Sequence, residues 1–141
     1  MRVLTVENTR KVECLANESG ISFLQLMENA GSYCARVIRK TYANTEKRNV
    51  LIVCGKGKNG GDGYVIARNL SDRGYSVRLV LVDGYPKAYE SKMMYSYLED
   101  KPVLVSDLQQ NYDSCVTACM SSTAVVDCVY GIGFHGQLNE L

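Results

Sequence analysis

Two stretches of the chain combine glycines with polar side chains in a way that fits anion binding. The first reads Gly55-Lys56-Gly57-Lys58-Asn59-Gly60-Gly61-Asp62-Gly63, and the second Gly131-Ile132-Gly133-Phe134-His135-Gly136. Each contains the pattern G-x-G-x-x-G and each follows an apolar run. Five glycines among nine positions of the first stretch let backbone come close to a ligand and permit positive φ. Placed between a strand and a helix, such a loop offers its own N–H groups and the helix N-terminus to an anion such as phosphate. The pattern alone is weak, because surface turns produce it; the strand–loop–helix context gives it weight.

Asp127 is the second chemical signal. It lies within Val125-Val126-Asp127-Cys128-Val129-Tyr130, an otherwise apolar run that reads as a buried strand. A buried carboxylate without a partner is costly, so either loop amides or a cation shared with the first loop is expected beside it. Asn59 supplies a neutral oxygen in the adjacent loop. An oxygen-only site of low charge suits a hard, weakly bound cation rather than zinc.

A nicotinamide-dependent oxidoreductase is one reading of these loops. Asp83 ends the second strand, where a ribose-binding acid belongs. Three features oppose it. The helical prefix is long for that fold, Asp62 places a carboxylate inside the anion cradle, and the single histidine, His135, lies in the second loop. Asp83 in Asp83-Gly84-Tyr85-Pro86 reads better as a strand-end turn residue.

The elements that must carry these residues follow from periodicity. Thr5 caps a first helix that Ser19-Gly20 ends. Ser22 caps a second, to about Tyr42, with Phe23, Leu26, Met27, Ala30, Cys34, Val37 and Ile38 on one face. Ala43–Asn49 reads as a linker. Strands are expected over Asn49–Cys54, Val77–Val82, Pro102–Val105 and Ala124–Tyr130, with helices over Tyr64–Asp72, Tyr89–Leu98 and Asp107–Met120 between them. The alternation specifies a Rossmann-like α/β fold, three layers with a mostly parallel sheet in the order 3-2-1-4. In that order both glycine-rich loops leave the carboxyl ends of neighbouring strands, at a topological switch point. Residues 1–48 form a helical segment packed on the domain, and 49–141 the nucleotide-binding core.

Composition narrows the class. A net charge of +1 leaves no electrostatic footprint for nucleic acid or an anionic membrane. No apolar run approaches the ~18 residues of a membrane span. Six cysteines (14, 34, 54, 115, 119 and 128) contain no C-x-x-C pair, and one histidine is too few for an ordinary zinc site. The polar N-terminus does not read as a secretory signal, so a disulfide framework is not expected, and Cys54 and Cys128 read as small buried hydrophobes. A cytoplasmic protein is expected.

Three segments together resemble the NAD(P)H-hydrate epimerase family, the YjeF N-terminal domain. They are Gly20–Gly31 (G-I-S-F-L-Q-L-M-E-N-A-G), Val53–Arg68 (V-C-G-K-G-K-N-G-G-D-G-Y-V-I-A-R) and Val125–Gly136 (V-V-D-C-V-Y-G-I-G-F-H-G). The resemblance implies a Rossmann-like fold and a role in repair of nicotinamide nucleotides. Family members interconvert the R and S epimers of hydrated NADH and NADPH (NADHX and NADPHX). A dehydratase specific for the S epimer, often fused downstream, then regenerates the cofactor. The resemblance also implies one potassium ion per site. It assigns substrate contact to Lys58, Asn59, Gly60, Gly61 and Asp62 and to Gly131, Ile132, Gly133, Phe134, His135, Gly136 and Gln137, and potassium to Asn59 and Asp127. Lys58 replaces the usual asparagine, and either attracts phosphate or points to solvent. His135 stands where a basic residue is frequent. Glu28 and Asn29 either face solvent or line and brace the site. Family members continue well past the point corresponding to Leu141, through a D-x-P-S-G-type segment that supplies another acid and another potassium ligand. By that comparison the chain is incomplete, its catalytic group belongs to the later segment, and the fragment is weak or inactive. An uncovered sheet edge would favour a homodimer. A non-catalytic nucleotide sensor or scaffold is the reading from another class.

Overall fold

A computed structural model describes residues 4–135. Two helices come first, α1 (Val6–Glu18) and α2 (Phe23–Thr41). β1 (Asn49–Cys54), α3 (Lys58–Ser71), β2 (Ser76–Leu81), α4 (Tyr89–Ser96), β3 (Val103–Asp107), α5 (Tyr112–Ser121) and β4 (Ala124–Cys128) then alternate. The sheet is parallel throughout, in the order β3-β2-β1-β4. Both prefix helices begin where their caps place them. Thr5 Oγ1 accepts from the Asn8 amide at 3.2 Å, and Ser22 Oγ from the Gln25 amide at 3.1 Å.

The two faces of the sheet are covered unequally. On one, Ile52 and Cys54 of β1, Leu79 and Leu81 of β2, and Cys128 of β4 pack with α2, α3 and α4 in the main core. On the other, Leu51 and Val80 meet Cys115 and Ala118 of α5 in a small second cluster. α2 is part of the main core through Met27 and Ala35, whereas α1 contributes no buried residue. Glu28 is a brace: its carboxylate pairs with the Arg68 guanidinium of α3 and accepts from Ser32 Oγ at 3.2 Å. Asn29 accepts from Gln25 within α2 at 2.9 Å. Neither residue reaches the cleft described below.

Several expected boundaries move. α3 starts at Lys58, six residues before the expected Tyr64, so Gly60, Gly61 and Gly63 are helical and the first loop is only Gly55-Lys56-Gly57. Glycine weakens a helix by about 1 kcal/mol relative to alanine, and packing overrides that preference here. A Cβ on Gly63 would sit 2.5 Å from Cys54 Sγ and 3.1 Å from Cys128 Cβ; one on Gly61 would strike the Met27 sulfur. No glycine of either loop takes a positive φ among the described residues, where only Gly20, Gly74 and Gly84 do. Gly55, Gly60, Gly61, Gly63 and Gly131 serve close approach, not a left-handed turn, whereas Gly57 and Gly133 have open space beside them. α5 starts at Tyr112 instead of Asp107, because Asp107 Oδ1 accepts from the Gln109 amide at 2.9 Å and closes a turn first.

β4 is an edge strand, and that corrects the reading of Asp127 as buried. Ala124, Val126 and Cys128 face α3, and the alternate residues face away. Val125 is 50% exposed, Asp127 is exposed, and Asp127 Oδ1 accepts from the Val129 amide at 2.9 Å. No burial cost therefore demands a cation beside it.

Candidate functional site

The cleft lies where β1 and β4 end side by side. After β1 the chain moves to β2 on one side, and β4 later returns on the other, so the connections part above this point. The gap holds about 820 Å³, within the range of cofactor pockets. Backbone bonds fix both rims. The Gly55 amide donates to the Cys128 carbonyl at 3.1 Å, and the Lys87 amide to the Lys56 carbonyl at 3.0 Å. Ser91 of α4, fully buried, donates from Oγ to the Gly57 carbonyl at 2.9 Å. Gly57 is the N-cap of α3 and supplies no side-chain cap, which leaves that helix end available to an anion.

Asn59 joins the two loops. Its Nδ2 donates to the Tyr130 carbonyl at 3.1 Å. A Cβ on Gly131 would lie 3.2 Å from Asn59 Cβ, so a larger residue there would have to push Asn59 aside by a few tenths of an ångström. Among the described residues nothing donates to Asn59 Oδ1. Beyond Gly131, the Phe134 amide donates to the Gly131 carbonyl at 3.0 Å, and the Tyr130 and Phe134 rings pack 4.3 Å apart. Gly131, Ile132, Gly133, Phe134 and His135 all line the cleft. Gly136 and Gln137 lie outside the described residues.

The remaining residues of the first segment divide. Lys58 lines the cleft, but its Nζ is 3.2 Å from the Glu90 carboxylate and 4.7 Å from the Phe23 ring centre. It thus pairs with α4 at the cleft's edge while its side chain stays mostly in solvent. Gly60 and Gly61 are buried in the packing of α3 and do not line the cleft. Asp62 does line it, one helical turn inside the end of α3. Its carboxyl is pushed up to about 6, first by loss of water on burial and then by the nearby Glu13 carboxylate. Asp127 is not part of the lining. Asp83 opens a turn in which Gly84 takes φ 79°, and lies 3.9 Å from Lys56 Nζ.

Sequence reading missed one wall altogether. Arg10, Glu13 and Cys14 of α1 and Phe23 of α2 face the loops across the cleft. The caps bound α1 but do not say which element it approaches. The cysteines form no bonded pair: Cys54, Cys115 and Cys128 are buried, Cys14, Cys34 and Cys119 exposed, and all six are free. No group of three or more histidine, cysteine or carboxylate side chains could hold a metal among the described residues. No described helix is long and apolar enough to cross a membrane.

Comparison with known proteins agrees with this geometry. The family model of the YjeF-related protein N-terminus matches residues 24–141. The NAD(P)H-hydrate epimerase of Entamoeba histolytica is 39% identical, over 100% of this chain and 60% of its own length. That of Elusimicrobium minutum is 31% identical, over 99% of this chain and 65% of its own. The bifunctional NAD(P)H-hydrate repair enzyme Nnr of Pyrobaculum aerophilum is 37% identical over 86% of this chain and 24% of its own. The chain thus spans less than two thirds of these curated relatives. The crystal structure of yeast ynu0, YNL200c, superposes with a TM-score of 0.81 at 24% identity, covering 99% of this chain and 61% of that one, and shares its fold. With both glycine-rich loops, the switch point and 118 matched residues (24 to 141 inclusive) in agreement, the chain belongs to the family of the YjeF-related protein N-terminus.

Proposed function

We propose that the chain carries the nucleotide-binding part of an NAD(P)H-hydrate epimerase, which interconverts the R and S epimers of hydrated NADH and NADPH. The observation that carries the reading is the Asn59–Tyr130 hydrogen bond, which joins two backbone cradles into one cleft at the sheet's switch point. Relatives that match nearly all of the chain are named for that activity.

In this reading the open N-terminus of α3 and the backbone of Gly131–His135 hold the phosphates and ribose. The catalytic group is assigned to the later segment that family members carry; within the cleft described here, the Asp62 carboxyl, raised to about 6 by burial, is placed to assist proton movement close to neutrality. In the protonated state a carboxyl there gives its proton to the departing hydroxyl, which leaves the ring as water, and the resulting carboxylate takes a proton from the water that adds to the other face, restoring the acid. Potassium is implied by the family. Asn59 Oδ1, an oxygen that accepts no hydrogen bond among the described residues and belongs to a residue lining the cleft, would hold it, whereas Asp127, the other ligand the family resemblance assigns, does not line the cleft. A bound ion would offset phosphate charge.

The helical prefix 1–48 packed on the core 49–141, a cytoplasmic location, a homodimer and a partnership with an S-specific dehydratase belong to the same proposal. The test is incubation of a version of the chain that spans the family's full length with R-NADHX, followed by that dehydratase. Regeneration of NADH faster than spontaneous epimerisation is the expected result. Nucleotide binding without any turnover would favour the sensor reading, and net oxidation of NADH the oxidoreductase.

A further inference from the structure

We infer that Arg10 of α1 is a phosphate-positioning residue of this cleft. The inference rests on the dinucleotide reading above and adds a residue to it from outside the two loops.

Three lysine or arginine side chains line the cleft, Arg10, Lys56 and Lys58. Lys56 is 3.9 Å from Asp83, and Lys58 is 3.2 Å from Glu90. Arg10 alone of the three has no carboxylate within 4.0 Å among the described residues. Its one hydrogen bond runs from Nη2 to the Ile132 carbonyl in the second loop, long at 3.4 Å and 122 residues away in sequence. A guanidinium presents several donors in a planar fork, and one weak bond to a carbonyl leaves most of them free. That fork matches a phosphate with two parallel bonds.

The cleft needs such a charge. Glu13, Asp62 and Asp83 also line it and would oppose a diphosphate, and each lysine shares its charge with an acid in an exposed ion pair. A nucleoside diphosphate is the ligand chemistry the position serves.

Calorimetric titration of the chain at low salt, with ADP and with adenosine as probes, tests it. Arg10→Ala is expected to weaken ADP by about tenfold or more, as one lost charge-assisted contact would, while leaving adenosine unchanged. It is also expected to flatten the salt dependence, and Arg10→Lys to recover part of the loss. ADP binding equal to that of the unsubstituted chain overturns the role of Arg10 and leaves the cleft intact. Equal losses for ADP and adenosine show a merely structural effect and overturn it as well. No binding of ADP by the unsubstituted chain overturns the dinucleotide cleft and this inference together.

Discussion

Asn59 and Asp62 stand three positions apart on one helical turn and do different work. Asn59 joins two loops through a single neutral hydrogen bond, so Asn59→Ala should cost about 0.5–1.5 kcal/mol in chemical denaturation. The same substitution should weaken nucleotide binding by more than that, since both rims move apart. For Asp62 the pH dependence has a definite sign. Its folded value of about 6 lies above the ordinary 3.8, so the folded chain binds the proton more tightly than the unfolded chain does. That contribution is complete below the ordinary value and is lost as pH rises through 6. Asp62→Asn should therefore be more stable than the parent at neutral pH, by at most about 3 kcal/mol and less with partial solvent screening. The gain should vanish near pH 4, and thermal unfolding across that range reads it. Epimerisation by the version that spans the family's full length should fall in the same variant.

Among the elements, α3 separates what is local from what is not. The caps of α1 and α2 were legible because Thr5 and Ser22 act on amides three residues away. The start of α3 was not, because its glycines answer to Met27, Cys54 and Cys128, which are distant in sequence. Propensity alone makes Gly63→Ala stabilising by about 1 kcal/mol. The neighbouring cysteine sulfurs reverse the sign, and the variant should lose about 1–3 kcal/mol. Gly133→Ala, with nothing within 4 Å of the added carbon, is the matched substitution that should leave stability nearly unchanged. Equilibrium denaturation of the two variants distinguishes packing from propensity.

For the whole molecule, strand order was legible and the covering of the sheet was not. Alternation of strands and helices specifies β3-β2-β1-β4, and both loops fall at its switch point. It does not say that three helices crowd one face while α5 alone lies on the other. That asymmetry exposes Val125 and Asp127, and an apolar run mistaken for a buried strand is its consequence. Leu104 and Val125, 61% and 50% exposed, mark this thinly covered side of the sheet. Val125→Lys on the β4 edge should reduce self-association in sedimentation, at a stability cost within about 0.5 kcal/mol.

The proposed dinucleotide cradle unites two loops that lie about 70 residues apart in the chain. Amide chemical-shift perturbation on titrating hydrated NADH reads both at once. Gly55–Asn59 and Gly131–His135 are expected to shift together with a single dissociation constant. Shifts confined to one loop, or to residues outside the cleft, would contradict it.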